Sequence, residues 1–311
     1  LVTGRAGIGK TSLVAEIHKP VTASRGAFVA GKFDQLQRGV PFSALLGALG
    51  ELVRLHLGAS DAALAAWREQ LLQALGPNGR VITDTIPEFE LVLGAQPPVP
   101  QLAPGSAQVR FHRVLQDLIR CCAQPARPLV LFLDDLQWAD AATLDLLGVL
   151  IGDRDTRGLL VVGAYREAEV DAAHPLRLAL DRLAAAGREV LDISLPPLDL
   201  ASSMQLVHDA VGGRADAADI EGLAQVALDK TAGNPFFLHE FLKSLSRDGL
   251  LAYDRGQGRW HWDADALATL RTADNVVDLM TERLAPLPAA TREILQTAAC
   301  IGAQFELGLL A

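Results

Sequence analysis

The first eleven residues, LVTGRAGIGKT, contain residue types that could bind phosphate. Gly4 and Gly9 are separated by four residues, and Lys10 and Thr11 follow directly. Glycines at these positions let the backbone curve so that successive N–H groups face one anion, and a helix after the loop points its positive end at the same place. In this pattern the lysine contacts the β and γ phosphates and the hydroxyl contacts Mg²⁺. The predicted nucleotide contacts are Gly4, Ala6, Gly7, Ile8, Gly9, Lys10, Thr11 and Ser12.

Two acids follow an apolar run at 129–133, which is typical of a strand buried on both faces. A triphosphate loop needs a carboxylate on a neighbouring strand to hold the magnesium shell, and ligands bind at the carboxyl ends of parallel strands. We therefore expect Asp134 to bind Mg²⁺ together with Thr11, and Asp135 to orient or deprotonate the attacking water. The alternative is that both acids only cap the turn toward Trp138.

Arg166 directly follows another apolar run, at 159–165. A cation at the end of a third strand could bind the γ phosphate and sense its loss. From the residues alone, an ordinary surface charge is an equally open interpretation. Lys32 and Asp34, near the end of a further strand, receive no predicted role.

Strands and helices alternate over the first 196 residues, which predicts an α/β fold with a mainly parallel sheet and helices on both faces. Asp140 is well placed to cap one of the helices. The predicted strands are 1–3, 26–31, 129–133, 159–165 and 189–195, and the predicted helices are 10–18, 41–57, 61–75, 105–122 and 141–151.

Beyond Pro196 and Pro197 the pattern becomes helical. The expected elements are helices at 199–211, 219–232 and 235–247, a hairpin at 249–263, and helices at 275–284 and 289–299. We expect three domains: a nucleotide-binding core at 1–196, a helical lid with a β-hairpin at 197–273, and the start of a further domain at 274–311.

The composition limits which partners and which cellular compartment are expected for the chain. The net charge of −9 argues against a nucleic-acid face over the whole module. The apolar runs are shorter than the roughly 20 residues of a membrane span. Cys121, Cys122 and Cys300 form no disulfide framework or metal spacing, so a reduced cytoplasmic setting is expected, and the vicinal pair is interpreted as structural. The chain starts inside a predicted strand, so we expect a fragment of a longer protein whose targeting signal could be missing.

Several motifs together resemble the STAND class of P-loop ATPases, and more narrowly the AAA-like ATPase module of large bacterial sensor proteins. The resemblance covers essentially the whole chain and is most specific in the stretch that begins with GKFDQ. The motifs that carry it are GKFDQ at 31–35 with QRGVPFS at 37–43, LDDLQWAD at 133–140, GAYR at 163–166, TAGNPFFL at 231–238 and AACIG at 298–302.

This resemblance implies roles that the residues alone do not establish. Pro235, with Gly233, would approach the adenine or ribose from the lid, although Gly and Pro also end and start helices by themselves. It favours the sensor role for Arg166, ATP over GTP as the nucleotide, and a truncated winged-helix-type domain at 274–311. It also implies serine/threonine kinase, GAF or histidine-kinase domains in the same polypeptide.

The function expected from these features is a slowly hydrolysing, Mg²⁺-dependent ATPase switch with nucleotide-dependent self-association. A second hypothesis is a scaffold that binds ATP or ADP without hydrolysis. A replication-initiator type of ATPase is a third, and is disfavoured because residues 276–311 contain two basic residues, Arg283 and Arg292, against the four acids Asp278, Glu282, Glu293 and Glu306. A small-molecule kinase is the fourth. No nucleic-acid partner and no membrane segment are expected.

Overall fold

A computed structural model describes residues 1–35, 40–212, 215–263, 267, 284, 285 and 287–301. The chain divides into two compact units. The first unit comprises Leu1–Arg5 and Lys10–Ser194, and the second comprises Ala6–Gly9 and Leu195–Ala311. Across the described ranges, we find no helix with the length and apolar character needed to span a membrane.

The first unit contains a five-stranded sheet in the order β2-β3-β4-β1-β5, and all four pairings are parallel. This sheet, with helices on both sides, confirms the predicted α/β P-loop fold. All six residues of β3 are buried, as the continuous apolar run predicted. The strands are β1 (Val2–Thr3), β2 (Ala27–Lys32), β3 (Leu129–Asp134), β4 (Leu159–Tyr165) and β5 (Ile193–Ser194).

The helices of the first unit cover the sheet and bury an aliphatic core. Asp140 caps α8, as predicted, by accepting a hydrogen bond from the backbone N–H of Thr143 at 2.8 Å. The helices are α1 (Lys10–Ala15), α2 (His18–Ala23), α3 (Ser43–Leu57), α4 (Asp61–Leu75), α5 (Gly79–Thr85), α6 (Glu90–Leu93), α7 (Pro104–Cys122), α8 (Ala141–Gly152) and α9 (Pro175–Ala185).

One predicted helix ends early, and a second helix that was not predicted follows it. The sequence predicts a single helix at 10–18, but α1 ends at Ala15 and α2 begins at His18. Pro20 has no backbone N–H, and its ring would clash with the carbonyl of residue 16 in a continuous helix. The chain instead turns through hydrogen bonds between residues three positions apart, from Glu16 N to Leu13 O and from Ile17 N to Val14 O.

Other differences lie in short or exposed elements. Helices α5, α6 and α9 were not predicted, although α9 has a signal in His174 as its N-cap and Pro175 in its first turn. Strand β5 has only two residues, both exposed, where the sequence predicts a strand over 189–195. The ends of a strand are located in a sequence by its pattern of buried apolar residues. Because both residues of β5 are exposed, burial does not fix its ends.

The second unit has its own apolar core, formed mainly by its helices and its hairpin. The strands lie within the predicted hairpin and pair antiparallel, with Leu251 opposite Trp262. The predicted helix at 275–284 lies outside the described residues except for Leu284, and the predicted winged-helix start is described only as far as Ile301. The elements are α10 (Leu200–Ala210), α11 (Ala217–Thr231), α12 (Pro235–Arg247), β6 (Leu251–Asp254), β7 (Arg259–Trp262) and α13 (Ala289–Ile301).

A bidentate ion pair joins α7 to the end of α8. Arg120 donates from Nε to Asp153 Oδ2 at 2.7 Å and from Nη2 to Oδ1 at 2.9 Å, and the Asp153 side chain is only 7% exposed. The Arg120 hydrogen bonds, helped by Thr156 and by the backbone of Asp155, hold the pKa of Asp153 well below its usual value.

We expect Asp153→Asn to lower the free energy of unfolding by about 2 kcal/mol at pH 7, since it removes charge-assisted hydrogen bonds. Because the folded-state pKa is depressed, this contribution is complete above the unfolded-state pKa of about 3.9 and declines at lower pH. Urea unfolding at pH 7 and pH 3 should therefore give a smaller difference at pH 3. Asp145→Asn on α8, whose exposed partner is Arg182, is the control and should change stability by under about 0.5 kcal/mol. Equal effects of the two substitutions would contradict this account.

Candidate functional site

Lys10 begins α1 and its side chain points back over the preceding loop. Lys10 is 7% exposed, and its Nζ donates to Gly4 O at 3.1 Å and to Arg5 O at 3.0 Å. Burial lowers the pKa of the Lys10 ammonium, while Asp134 and Asp135 act in the opposite direction. The described ammonium contacts are therefore two backbone carbonyls, which an anionic ligand can replace.

The loop before Lys10 has backbone angles that favour glycine. Gly7 has φ 74° and Gly9 has φ 99°, in the region that side chains with a Cβ rarely adopt. A Cβ added at Gly9 would meet no heavy atom within 4 Å. Glycine at position 9 is therefore required by backbone conformation rather than by crowding.

Thr11 and Asp134 are in direct contact, although 123 residues separate them in the chain. Thr11 Oγ1 donates to Asp134 Oδ2 at 3.0 Å, and Asp134 is 7% exposed. The other carboxylate oxygen, Oδ1, accepts the backbone N–H of Asp135 at 2.9 Å. A hydroxyl and a carboxylate oxygen side by side are the ligand types that Mg²⁺ takes beside substrate phosphates.

The strand that carries Asp134 is not a neighbour of the loop strand, which corrects the sequence expectation. Strand β4 lies between β1 and β3 in the sheet. Contact across β4 is possible because Thr11 lies on α1, after the loop, rather than on β1 itself. A helix and a non-adjacent strand therefore bring Thr11 and Asp134 together, and their role as metal ligands stays a prediction.

Asp135 has a left-handed backbone conformation, with φ 56° and ψ 43°, and is 5% exposed. Its Oδ1 accepts from Gln137 Nε2 at 2.9 Å. Two cations also approach the carboxylate: Lys32 Nζ lies 3.2 Å from Oδ2 and Arg166 Nε lies 3.6 Å from Oδ1. Both oxygens of the predicted water-activating group therefore have side-chain partners.

Arg166 is held in a network of side chains. Its Nη1 donates to Glu169 Oε1 at 2.7 Å, and its guanidinium carbon lies 4.9 Å from the centre of the Trp138 ring. Trp138 Nε1 in turn donates to Glu169 Oε2 at 3.2 Å. The structure therefore places Arg166 beside Asp135, where the prediction needs it, but its role stays a prediction.

Two residues of this cluster were missed by sequence reasoning. Lys32 is in register with Asp134 on the adjacent strand, so both lie where the carboxyl ends of the two strands meet. Gln137 is 3% exposed, and its Oε1 accepts the backbone N–H of Arg166 at 3.1 Å. The available signals were the position of Lys32 at a strand end and a glutamine between the apolar Leu136 and Trp138.

Most of the remaining predicted contacts lie in the second unit. Ala6, Gly7, Ile8 and Gly9 belong to this unit, as does Pro235, which opens α12. The Asn234 side chain caps α12 by accepting from Phe236 N at 3.0 Å and also donates from Nδ2 to Ala6 O at 2.9 Å. Ser12 lies on α1 in the first unit and is exposed.

Comparison with known proteins gives one family match. The model of a family described as an AAA ATPase domain matches residues 1–162. Hybrid signal transduction histidine kinase G of Dictyostelium discoideum is 29% identical over 374 residues, which cover all of this chain and 11% of that protein. The uncharacterized protein R02095 of Rhizobium meliloti (strain 1021) is 29% identical over 195 residues, covering 58% of this chain and 18% of that protein. The chain thus corresponds to less than a fifth of the length of either relative.

Several solved structures are similar to this chain at low sequence identity. The Orc2 protein of Aeropyrum pernix has a TM-score of 0.45 and 13% identity, covering 99% of this chain and 70% of that one. A Walker-type ATPase of Pyrococcus abyssi has a TM-score of 0.43 and 13% identity, covering 83% and 64% respectively.

Proposed function

The chain belongs to the AAA ATPase domain family, and on that premise we propose that it is an Mg²⁺-dependent, slowly hydrolysing ATPase switch within a larger signalling protein. The observation that carries the proposal is the 3.0 Å contact between Thr11 and Asp134 beside the buried ammonium of Lys10. Together these groups supply two oxygen ligands for a metal and one cation for phosphate. The proposal therefore rests on the geometry of the site rather than on the fold alone.

Magnesium binding in this proposal uses Thr11 and Asp134, with the remaining ligands from phosphate and water oxygens. The metal would neutralise charge on the phosphate chain when bound. Lys10 would exchange its bonds to Gly4 O and Arg5 O for bonds to the β and γ phosphates. The loop N–H groups from Gly4 to Gly9, with Ser12 after them, would complete the phosphate contacts.

Hydrolysis in this proposal depends on Asp135, which would orient or deprotonate the attacking water. Lys32, Arg166 and Gln137 already engage its carboxylate oxygens. A water molecule must compete with these partners before Asp135 can act on it. This competition supports slow turnover and gives Lys32 a role as a positioning residue.

The switch in this proposal depends on Arg166. A bound γ phosphate would attract the Arg166 guanidinium away from Glu169 and Asp135. When the phosphate leaves, these two ion pairs would form again. Contacts that exist in only one nucleotide state are what a ligand needs to shift a conformational equilibrium. Pro235 and a helical lid at 197–273 would receive this change, followed by the start of a winged-helix-type domain at 274–311.

Membership of a larger protein is supported by the Dictyostelium relative, which is named a hybrid signal transduction histidine kinase and matches over all of this chain. We therefore propose kinase or sensor domains in the same polypeptide, STAND-class behaviour, and nucleotide-dependent self-association. A scaffold that binds nucleotide without turnover is the alternative, and DNA is not an expected partner.

The first test is the effect of Mg²⁺ on ATP binding, measured with a fluorescent ATP analogue with and without the metal. We expect Mg²⁺ to tighten binding by about tenfold in the unaltered chain, the size of one charge-assisted contact. Asp134→Asn should remove most of this gain because it takes away the carboxylate. Asp145→Asn, an exposed acid of α8, should leave it unchanged.

An Mg²⁺ effect that survives in Asp134→Asn would contradict the metal assignment, and ATP binding by neither chain would contradict the proposed function. Steady-state phosphate release separates the switch from the scaffold, since the scaffold shows Mg²⁺-dependent binding with no release. Turnover that rises on addition of duplex DNA would favour the initiator type of ATPase instead.

A further inference from the structure

A cavity of about 350 Å³ lies in the first unit, away from the cluster around Asp134. It is lined by residues of α2, by Ala27 at the start of β2 and by Gln124 and Arg127 just before β3. These are the amino ends of parallel strands, whereas Asp134 ends β3. The cavity is therefore at the opposite edge of the sheet from the candidate nucleotide site.

The charged side chains that line this cavity are both cations. Arg25 and Arg127 belong to the lining, and none of its described residues is an aspartate or a glutamate. This composition differs from that of the whole chain, which carries a net charge of −9. A cation-lined cavity on an acidic protein favours an anionic ligand over a cationic one.

Flat ring surfaces form part of the wall. His56 stacks on Trp67 with ring centroids 3.9 Å apart and planes 18° apart, and His18 lies against Phe28 at 3.9 Å. All four rings contribute to the lining. Such surfaces pack against a planar or extended small molecule.

Two thiols, Cys121 and Cys122 at the end of α7, also line the cavity, and both are half-buried. A hydrogen bond from Cys122 lowers the pKa of the Cys121 thiol; Arg127 acts in the same direction and burial opposes both. The same hydrogen bond and burial raise the pKa of Cys122 well above its usual value. Of the two thiols, Cys121 therefore has the lower pKa, and the thiolate is the reactive form of a cysteine.

We propose that this cavity is a thiol-exchange site in which Cys121 reacts with a small disulfide that carries carboxylates. Arg127 binds a carboxylate of the disulfide and holds it against the ring surfaces. The sequence interpretation of the vicinal pair as structural applies only to Cys122, which remains a thiol and donates to the attacking sulfur. The site is independent of the proposed ATPase function.

The exchange balances without any further reactant. Cys121 loses its proton to solvent, and its sulfur forms a bond to the nearer sulfur of the disulfide as the original S–S bond breaks. The other half leaves as a thiolate, which takes up a proton. One disulfide is consumed, one mixed disulfide and one small thiol are formed, and the cysteine is oxidised as the leaving half is reduced.

The test uses two aromatic disulfides that differ in charge: the dianionic 5,5′-dithiobis(2-nitrobenzoate) and the neutral 2,2′-dithiodipyridine. We expect the anionic reagent to react fast at Cys121, so that Cys121→Ser removes the fast phase and Cys300→Ser, which removes an exposed thiol, keeps it. Arg127→Gln should slow this phase by about tenfold but leave the rate with the neutral reagent nearly unchanged.

The neutral reagent separates charge recognition from damage to the fold, since a distorted cavity would change both rates. Equal slowing of both reagents by Arg127→Gln, or a fast phase that belongs to Cys300, would overturn the proposal. Oxidised glutathione is the third probe, and peptide mass spectrometry should locate its adduct on Cys121. An adduct absent from Cys121 would also overturn the proposal.

Discussion

Replacing Lys10 by alanine is expected to weaken MgATP binding by about 100-fold, which corresponds to about 2.7 kcal/mol. This is the size of a charge-assisted hydrogen bond to phosphate in a site with little water. The native ammonium is buried and donates to Gly4 O and Arg5 O, so bound phosphate receives a cation that is already in place. Titration of a fluorescent ATP analogue measures the loss directly.

Lys19→Ala is the matched control for this change. Lys19 lies on α2, close to Lys10 in sequence, but its side chain is 81% exposed and pairs with the exposed Glu16. We expect its removal to leave nucleotide affinity unchanged. Lys10→Ala with native affinity, or equal losses in the two variants, would contradict the assignment of Lys10 to phosphate. Thermal unfolding of both variants shows whether the loss of the buried ammonium has changed the fold.

The parallel sheet and the positions of its acids were predictable because their signals are local. A strand buried on both faces must be apolar throughout, so the run before Asp134 located both β3 and the edge at which it ends. The glycine pattern before Lys10 is local as well, because it reflects the positive φ angles at Gly7 and Gly9.

The order of the strands was not predictable in the same way. Nothing in the residues of β1 and β3 shows that β4 lies between them, because strand order depends on how the connections cross the sheet. The contact of Lys32 with Asp135 follows from the pairing of β2 with β3. A residue such as Lys32, which reaches the site from a neighbouring strand, can therefore be identified only when the strand order is known.

Asp135→Asn is expected to lower the rate of phosphate release by about 100-fold to 1,000-fold while ATP affinity is retained. The amide keeps the size of the side chain but cannot accept the proton of the attacking water, and loss of a general base costs rates of this order. Asparagine also tolerates the left-handed conformation at φ 56°, whereas alanine would add backbone strain.

The charges left by this substitution have other partners. Arg166 keeps its ion pair with Glu169, and the Lys32 side chain is 68% exposed, so water can solvate it. The variant should therefore stay folded, and a retained affinity for MgATP would verify this.

Asp145→Asn should leave phosphate release unchanged. Native turnover in Asp135→Asn would mean that another group positions the water, and loss of binding together with turnover would assign Asp135 to the structure of the site. Because the proposed function predicts slow turnover, single-turnover measurement with excess protein should resolve the rate better than steady state.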